Sequence, residues 1–196
     1  MDVDYHEVLE FWFAGEILGS EQRSRWWQKK EAVDLSIKQR FASLIPQVHD
    51  GLHEEWAQTP EGRLAAIICL DQFPRNIYRN SAKAFSFDDK ALFLTLEGLN
   101  SSHDIKLDLL ERTFFMMPLM HDESLDSQDR CVEFYEDAVT ASSGELQQYL
   151  KGSLEFALRH REIIERFGRY PHRNKVLGRQ NTAEEEYFLT QPGSSF

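Results

Sequence analysis

The stretch S-G-E-L-Q-Q-Y-L-K-G-S-L-E-F-A-L-R-H-R-E-I-I-E-R-F-G, Ser143 to Gly168, decides the fold class of this 196-residue chain. Leu146, Leu150, Ser153, Ala157, His160, Ile164 and Phe167 recur at the alternating three- and four-residue spacing that lines one face of an α-helix. Ser143 can cap its start, Gly168 can take the left-handed turn that ends it, and Pro171 prevents its continuation. His160 falls on the apolar face, where a histidine bonded to a local partner is the expected state.

Just beyond lies F-G-R-Y-P-H-R-N-K-V-L-G-R, Phe167 to Arg179. Set against Glu162 and Glu165, the cations Arg161, Arg166, Arg169, Arg173, Lys175 and Arg179 give this region plus four in a chain whose formal charge is −11. Thr182 with Glu185 forms a capping box for a last helix reaching about Thr190, and Pro192 to Phe196 reads as a tail.

Towards the N-terminus the helical pattern repeats. Asp4 with Glu7 opens a helix over about 4–14, with Tyr5, Val8, Leu9 and Trp12 on one side and Gly15 at its end. Ser20 can cap a short helix carrying Trp26 and Trp27, and Val33, Ile37, Phe41 and Leu44 trace a stripe that Pro46 breaks. A short piece over 48–56 carries His49 and His53 on one face, beside Asp50, Glu54 and Glu55, as a solvated polar surface. Thr59-Pro60 starts a helix that must end before Pro74. Further helices are expected over 86–99, over 104–117 with Pro118 as the stop, and over 125–141 behind a Ser124 cap. No stretch carries the period-two alternation and hairpin dipeptides of a sheet, so the expectation is one all-α domain of about eight or nine helices.

Composition narrows the function classes. With 33 acidic and 22 basic residues, the chain lacks the positive surface that phosphate neutralisation on nucleic acid requires. Its longest apolar run, Leu64 to Leu70, is far short of a membrane span, and the acidic start is unlike a signal peptide, so a cytoplasmic location is expected. Cys69 and Cys131 form no C-x-x-C pair and are expected buried and reduced. The surplus of aromatics leaves room for an apolar patch and a homodimer.

Two helices leave through nearly the same text, Phe73-Pro74-Arg75-Asn76 and Tyr170-Pro171-His172-Arg173-Asn174. Together with the fuller Asp71 to Arg79 motif, Pro118-Leu-Met-His-Asp-Glu123 and Leu177-Gly-Arg179, these residues resemble the bacterial family known as domain of unknown function 924. The likeness runs from Phe11-Trp12-Phe13 through Trp26-Trp27 to the final helix. The family pattern commonly has Ser between the His and Glu of the middle motif, where Asp122 stands here and adds a negative charge beside His121. The resemblance implies a tetratricopeptide-like superhelix of helix pairs and supplies no reaction.

The site expected from these motifs is a polar groove made by the 71–79, 121–128 and 169–179 segments. Arg75, Arg169 and Arg173, with Asn76, Arg79, Gln128, His160 and Asn174, would hold a small phosphate or carboxylate, since guanidinium forks match those anions. His121, Glu123 and His172 would move protons, in hydrolase- or transferase-like chemistry. The competing expectation is structural: both exits lie at helix C-termini, where Arg75 can pair with Asp71, and Arg169 or Arg173 with Glu123. A scaffold whose groove takes an acidic peptide is the rival function. His121, Glu123, His160 and His172 have no tight metal-ligand spacing, and there is no Walker loop or G-x-S-x-G elbow, so neither metal nor cofactor is expected. Trp26-Trp27 and Phe114-Phe115 are expected to pack rather than to stack a ligand.

Overall fold

The computed structural model describes residues 3–195, so Met1 and Asp2 of the acidic start and Phe196 of the tail lie outside the described residues. Capping chemistry sets the boundaries of several helices. Asp4 and Glu7 close a capping box on α1 (Tyr5–Phe13), which buries Val8 and Trp12. Gly19, not Ser20, occupies the N-cap of α2 (Ser20–Trp27). Next come α3 (Glu31–Phe41) and α4 (Leu44–His49), and Pro46 sits inside the first turn of α4, where its missing N–H has no intrahelical acceptor to lose. The expected 48–56 helix is instead the end of α4 and a 3-10 turn over Glu54–Gln58.

Pro74 does not stop its helix, because the backbone widens before reaching it. Thr59 accepts the Gly62 N–H at the start of α5 (Pro60–Ile67), and a π turn over Ile68–Gln72 leads without a break into α6 (Phe73–Ile77). The Phe73 N–H bonds the Ile68 carbonyl across that turn. A proline in the following turn is thereby carried inside a continuous helical rod. The same correction applies to Pro118, which lies within α8 (Leu109–His121) rather than at its end.

Before α8, α7 (Asp88–Asn100) begins two residues later than Ser86, and residues 104–106 form a separate 3-10 turn. The capping box that starts α8 is Asp108 with Glu111. Then α9 (Leu125–Ala141) and α10 (Gly144–Phe167) pack against each other, and α11 (Ala183–Leu189) closes the chain behind a Thr182–Glu185 capping box. Neither Ser124 nor Ser143 makes a side-chain capping bond. Gly168 takes φ 66° at the end of α10, a left-handed turn that glycine adopts without a Cβ clash. The tail is partly anchored: Ser194 is buried and its hydroxyl donates to the Leu189 carbonyl.

With the α5–π–α6 rod counted once, ten helices and no strand are found among the described residues, so the protein is all-α. The core is aromatic. Trp12 packs edge-on against Phe73 and Phe114, Phe41 stacks on Phe73, and the Trp26 indole donates to the Trp12 carbonyl at 2.8 Å. Each large apolar side chain buried in this way contributes about 1.5–3 kcal/mol. Trp26, Phe114 and Phe115 are buried as expected, while Trp27 stacks on Phe114 with 49% of its surface open. Both cysteines are buried, and the low polarity around them pushes their thiols well above the usual range.

This packing fixes the place where the polar motifs meet. The π turn sits against α7 and α8, and α10 sits against α8, so the C-terminal ends of the α5–π–α6 rod, α8 and α10 can share one neighbourhood with the start of α7.

Candidate functional site

The π turn buries Asp71 completely, a placement that would be costly for an unpaired carboxylate. Asp71 Oδ1 lies 2.7 Å from His121 Nδ1 at the end of α8 and 3.2 Å from a guanidinium nitrogen of Arg75. Gln72 Nε2 donates to Oδ2 at 2.5 Å. Burial alone would raise this carboxyl, but the charge of Arg75 and the hydrogen bonds from His121 and Gln72 outweigh it and hold the group well below the usual range. Asp71 therefore stays ionised and fixes the ring of His121.

Arg75 is held by two carboxylates. It forks onto Asp88 through two 2.8 Å hydrogen bonds and donates to the Asp71 carbonyl at 2.7 Å. Its counterpart from the second exit is in a different position. Arg173 has a side chain only 8% exposed, clasped between the rings of Phe85 at 4.7 Å and Tyr170 at 4.5 Å. The nearest carboxylate oxygen, Asp88 Oδ2, is 3.7 Å away, and the buried Nε has no partner. Among the described residues its guanidinium donates no hydrogen bond. Burial first, and Arg75 next, push its pKa below the ordinary arginine value.

Three imidazoles surround this pair. Burial and the nearby Arg75 lower the pKa of His121 against the pull of Asp71, so it is neutral at pH 7, with its Nδ1–H directed at the carboxylate. The remaining nitrogen, Nε2, has no hydrogen-bond partner among the described residues, and 13% of the side chain is open. His160 is a buried seam residue whose Nδ1 lies 2.7 Å from the Phe156 carbonyl, and burial pushes its pKa down to about 3. Burial and Arg173 push His172 down to about 4.

The other expected residues lie apart from this cluster or brace it. Asn76 and Arg79 both reach Asp34 on α3, at 2.9 and 3.0 Å. Arg169 forks onto Glu185 of α11, and Asn174 donates to Asn181. Glu123 pairs with Arg179, not with Arg169 or Arg173, and also accepts the Tyr170 N–H. Gln128 gives its amide hydrogens to the carbonyls of Leu119, Met120 and Asp122, closing the end of α8. Asp122, the family departure, accepts the Ser127 hydroxyl at 2.6 Å. The positive surplus of the 161–179 region is thus largely matched from outside, by Asp129, Glu184, Glu185 and Glu123.

Sequence reasoning missed Asp71 as the partner of His121, and missed Asp88, Phe85 and Tyr170 altogether as parts of the site. Asp71 had a local signal in its four-residue spacing from Arg75. Asp88 and Phe85 had none, since only the packing of α7 brings them near.

Two open clefts lie elsewhere, of about 340 Å³ beside Arg112 and Phe134 and about 220 Å³ beside Arg63 and Phe93. Arg63 bonds His103, Leu94 and Ala57, one from each of its three nitrogens, and Arg112 pairs with Asp104 while its buried Nε has no partner among the described residues. Neither cleft sets a histidine fixed by a buried carboxylate beside such a donor, as His121, held by Asp71, stands near Arg173. Among the described residues no group of three or more His, Cys, Asp or Glu is placed to hold a metal ion.

A family model described as "Bacterial protein of unknown function (DUF924)" matches residues 8–193. The chain belongs to that family. A solved structure of a protein of unknown function from Agrobacterium tumefaciens, ATU0120, is similar at 30% identity, with a TM-score of 0.79. The match covers 94% of this chain and 96% of that one, so the family's architecture extends across nearly all of both proteins. No curated protein matches the sequence. Membership fixes the fold and leaves the chemistry to the site itself. No helix among the described residues is long and apolar enough to cross a membrane.

Proposed function

We propose that the protein binds a small anionic metabolite, a phosphate or carboxylate, with Arg173 as the primary anchor and His121 beside it. The observation that carries this reading is the unspent guanidinium of Arg173: 8% exposed, pressed between two rings, and donating no hydrogen bond among the described residues. Buried donors left unpaired are costly, so a site that keeps one is suited to a guest that supplies oxygen atoms. Arg75, Arg79, Arg169 and Arg179 already hold carboxylates and serve as walls and braces in this reading. The depth of Arg173 suits a small ion or a terminal carboxylate better than a broad peptide. The successive packing of α7, α8, α9 and α10 supports a tetratricopeptide-like stacking around the site, and two buried free thiols support a reducing, cytoplasmic setting.

Thermal denaturation in the presence of inorganic phosphate, sulfate and dicarboxylates tests this. An anion at about 100 times its dissociation constant adds about 2.7 kcal/mol to the native state. The rise in melting temperature should vanish in Arg173→Met and persist in Arg169→Gln. Failure of every such anion to stabilise the wild type overturns the reading.

A further inference from the structure

We propose that an anion settling on Arg173 enters the site together with a proton, and that His121 is the group that takes it. This rests on the anion-binding reading above and adds a coupling that the reading does not itself require.

The reason is charge balance. The carboxylates of Asp71, Asp88 and Glu123 stand against the guanidiniums of Arg75, Arg173 and Arg179, with no cation left over among them. An added anion would therefore leave a negative charge in a largely buried place, where uncompensated charge is expensive. Imidazole is the side chain there whose charge changes near neutrality.

Geometry points to His121. Its Nδ1 sits 2.7 Å from a buried carboxylate, so a protonated ring would form a charge-assisted pair with Asp71, and its Nε2 is left to receive the proton. His160 has its Nδ1 at a carbonyl and is 6% exposed. The groups acting on His121 are Asp71 from the π turn, Arg75 from α6, Asp88 from α7, His160 from α10, and His172 and Arg173 from the C-terminal segment. Arg75 and Arg173 disfavour its charged form, and Asp71 and Asp88 favour it. An anion that offsets Arg173 removes one of the two opposing charges, so the bound-state pKa of His121 lies above the free-state value.

The sign follows. The extra affinity is fully present below the free-state pKa, which is itself below the ordinary imidazole value, and is lost as pH rises through the bound-state one. Between the two, affinity changes by about tenfold per pH unit, the limit for one coupled proton.

Sulfate is the suitable probe, because it stays fully ionised over the range in which imidazole titrates. Isothermal titration calorimetry of the full chain, from about pH 5 to pH 8 in buffers of different ionisation enthalpy, counts protons taken up per sulfate. Wild type should take up a substantial fraction of one proton and bind more tightly as pH falls. His121→Asn, which keeps a donor towards Asp71, should bind sulfate with affinity independent of pH. Binding without proton uptake, or uptake that survives in His121→Asn, overturns the coupling while leaving the anion site standing. No sulfate binding by wild type overturns the anion reading itself. Should His121→Asn fail to fold, the ring-carbon NMR shift of His121 in the wild type decides, by moving or not moving towards the imidazolium value on sulfate addition.

Discussion

Arg75 and Arg173, each set two residues or fewer past the proline of a helix exit, stand over one aromatic ring, Phe85, at 5.5 and 4.7 Å. Both reach towards one carboxylate, Asp88, at 2.8 and 3.7 Å. The near-repeat in the sequence therefore closes on itself in space, but the two arginines do different things there: Arg75 donates hydrogen bonds and Arg173 donates none among the described residues.

Arg75→Ala removes a cation that lies within hydrogen-bonding distance of both Asp71 and Asp88. Breaking a buried charge network by deleting one partner costs about 3–5 kcal/mol. Urea denaturation should show a lowered midpoint of that order, with phosphate unable to restore it.

Arg173→Met places an apolar chain of similar length between Phe85 and Tyr170, where the arginine donates no hydrogen bond among the described residues. The change trades an unsatisfied buried donor for an apolar group but also removes a cation 3.7 Å from Asp88 and its two ring contacts, so the ligand-free variant should stay within about 1–3 kcal/mol of wild type. A melting temperature well below wild type would mark Arg173 as a structural brace.

Gly98→Ala tests how closely α7 approaches α8. A Cβ at Gly98 would run into the Phe115 ring and the Arg63 stem, and Phe115 is fully buried while Arg63 is tied to Ala57, Leu94 and His103. Overpacking of this kind costs about 1–3 kcal/mol, against a helix-propensity gain of about 1 kcal/mol for replacing glycine. Chemical denaturation should show a net loss of stability; a net gain would mean that the two helices can part.

Glu185 supplies a pH prediction. The fork from Arg169 holds its carboxyl at about 2, down from an ordinary 4.5. Its contribution is present above the unfolded-state value and is lost as pH falls from about 4.5 through about 2. In Glu185→Gln the stability curve should be flatter across that acid range, as followed by circular dichroism during acid titration. Identical slopes in the two proteins would show that the pair adds nothing to acid stability.

Much of the secondary structure was legible from local signals. The seam of α10, the Asp4–Glu7 and Thr182–Glu185 boxes and the Gly168 stop depend on residues within one turn of each other, and the structure keeps all of them. Pro74 and Pro118, misread as stops, both lie inside helices. A π turn before Pro74 is a response of the backbone to packing, which apolar periodicity does not encode.

The site was legible only as an inventory. The polar motifs marked Arg75, His121, Arg173 and Glu123 as unusual, but not their partners. Glu123 went to Arg179 and Arg169 to Glu185, because side chains pair by distance in space and those distances are set by helix packing.

The order of residues by itself determined an all-helical chain, most of its helix ends and the set of costly polar groups that had to be accommodated, since caps, turns and periodicity act over a few residues. Tertiary structure alone decided which charge meets which. By bringing α7 against the π turn and the C-terminal segment against α8, it gave Arg75, Arg169 and Arg179 carboxylates within hydrogen-bonding distance and left Arg173 near His121 with no hydrogen bond among the described residues.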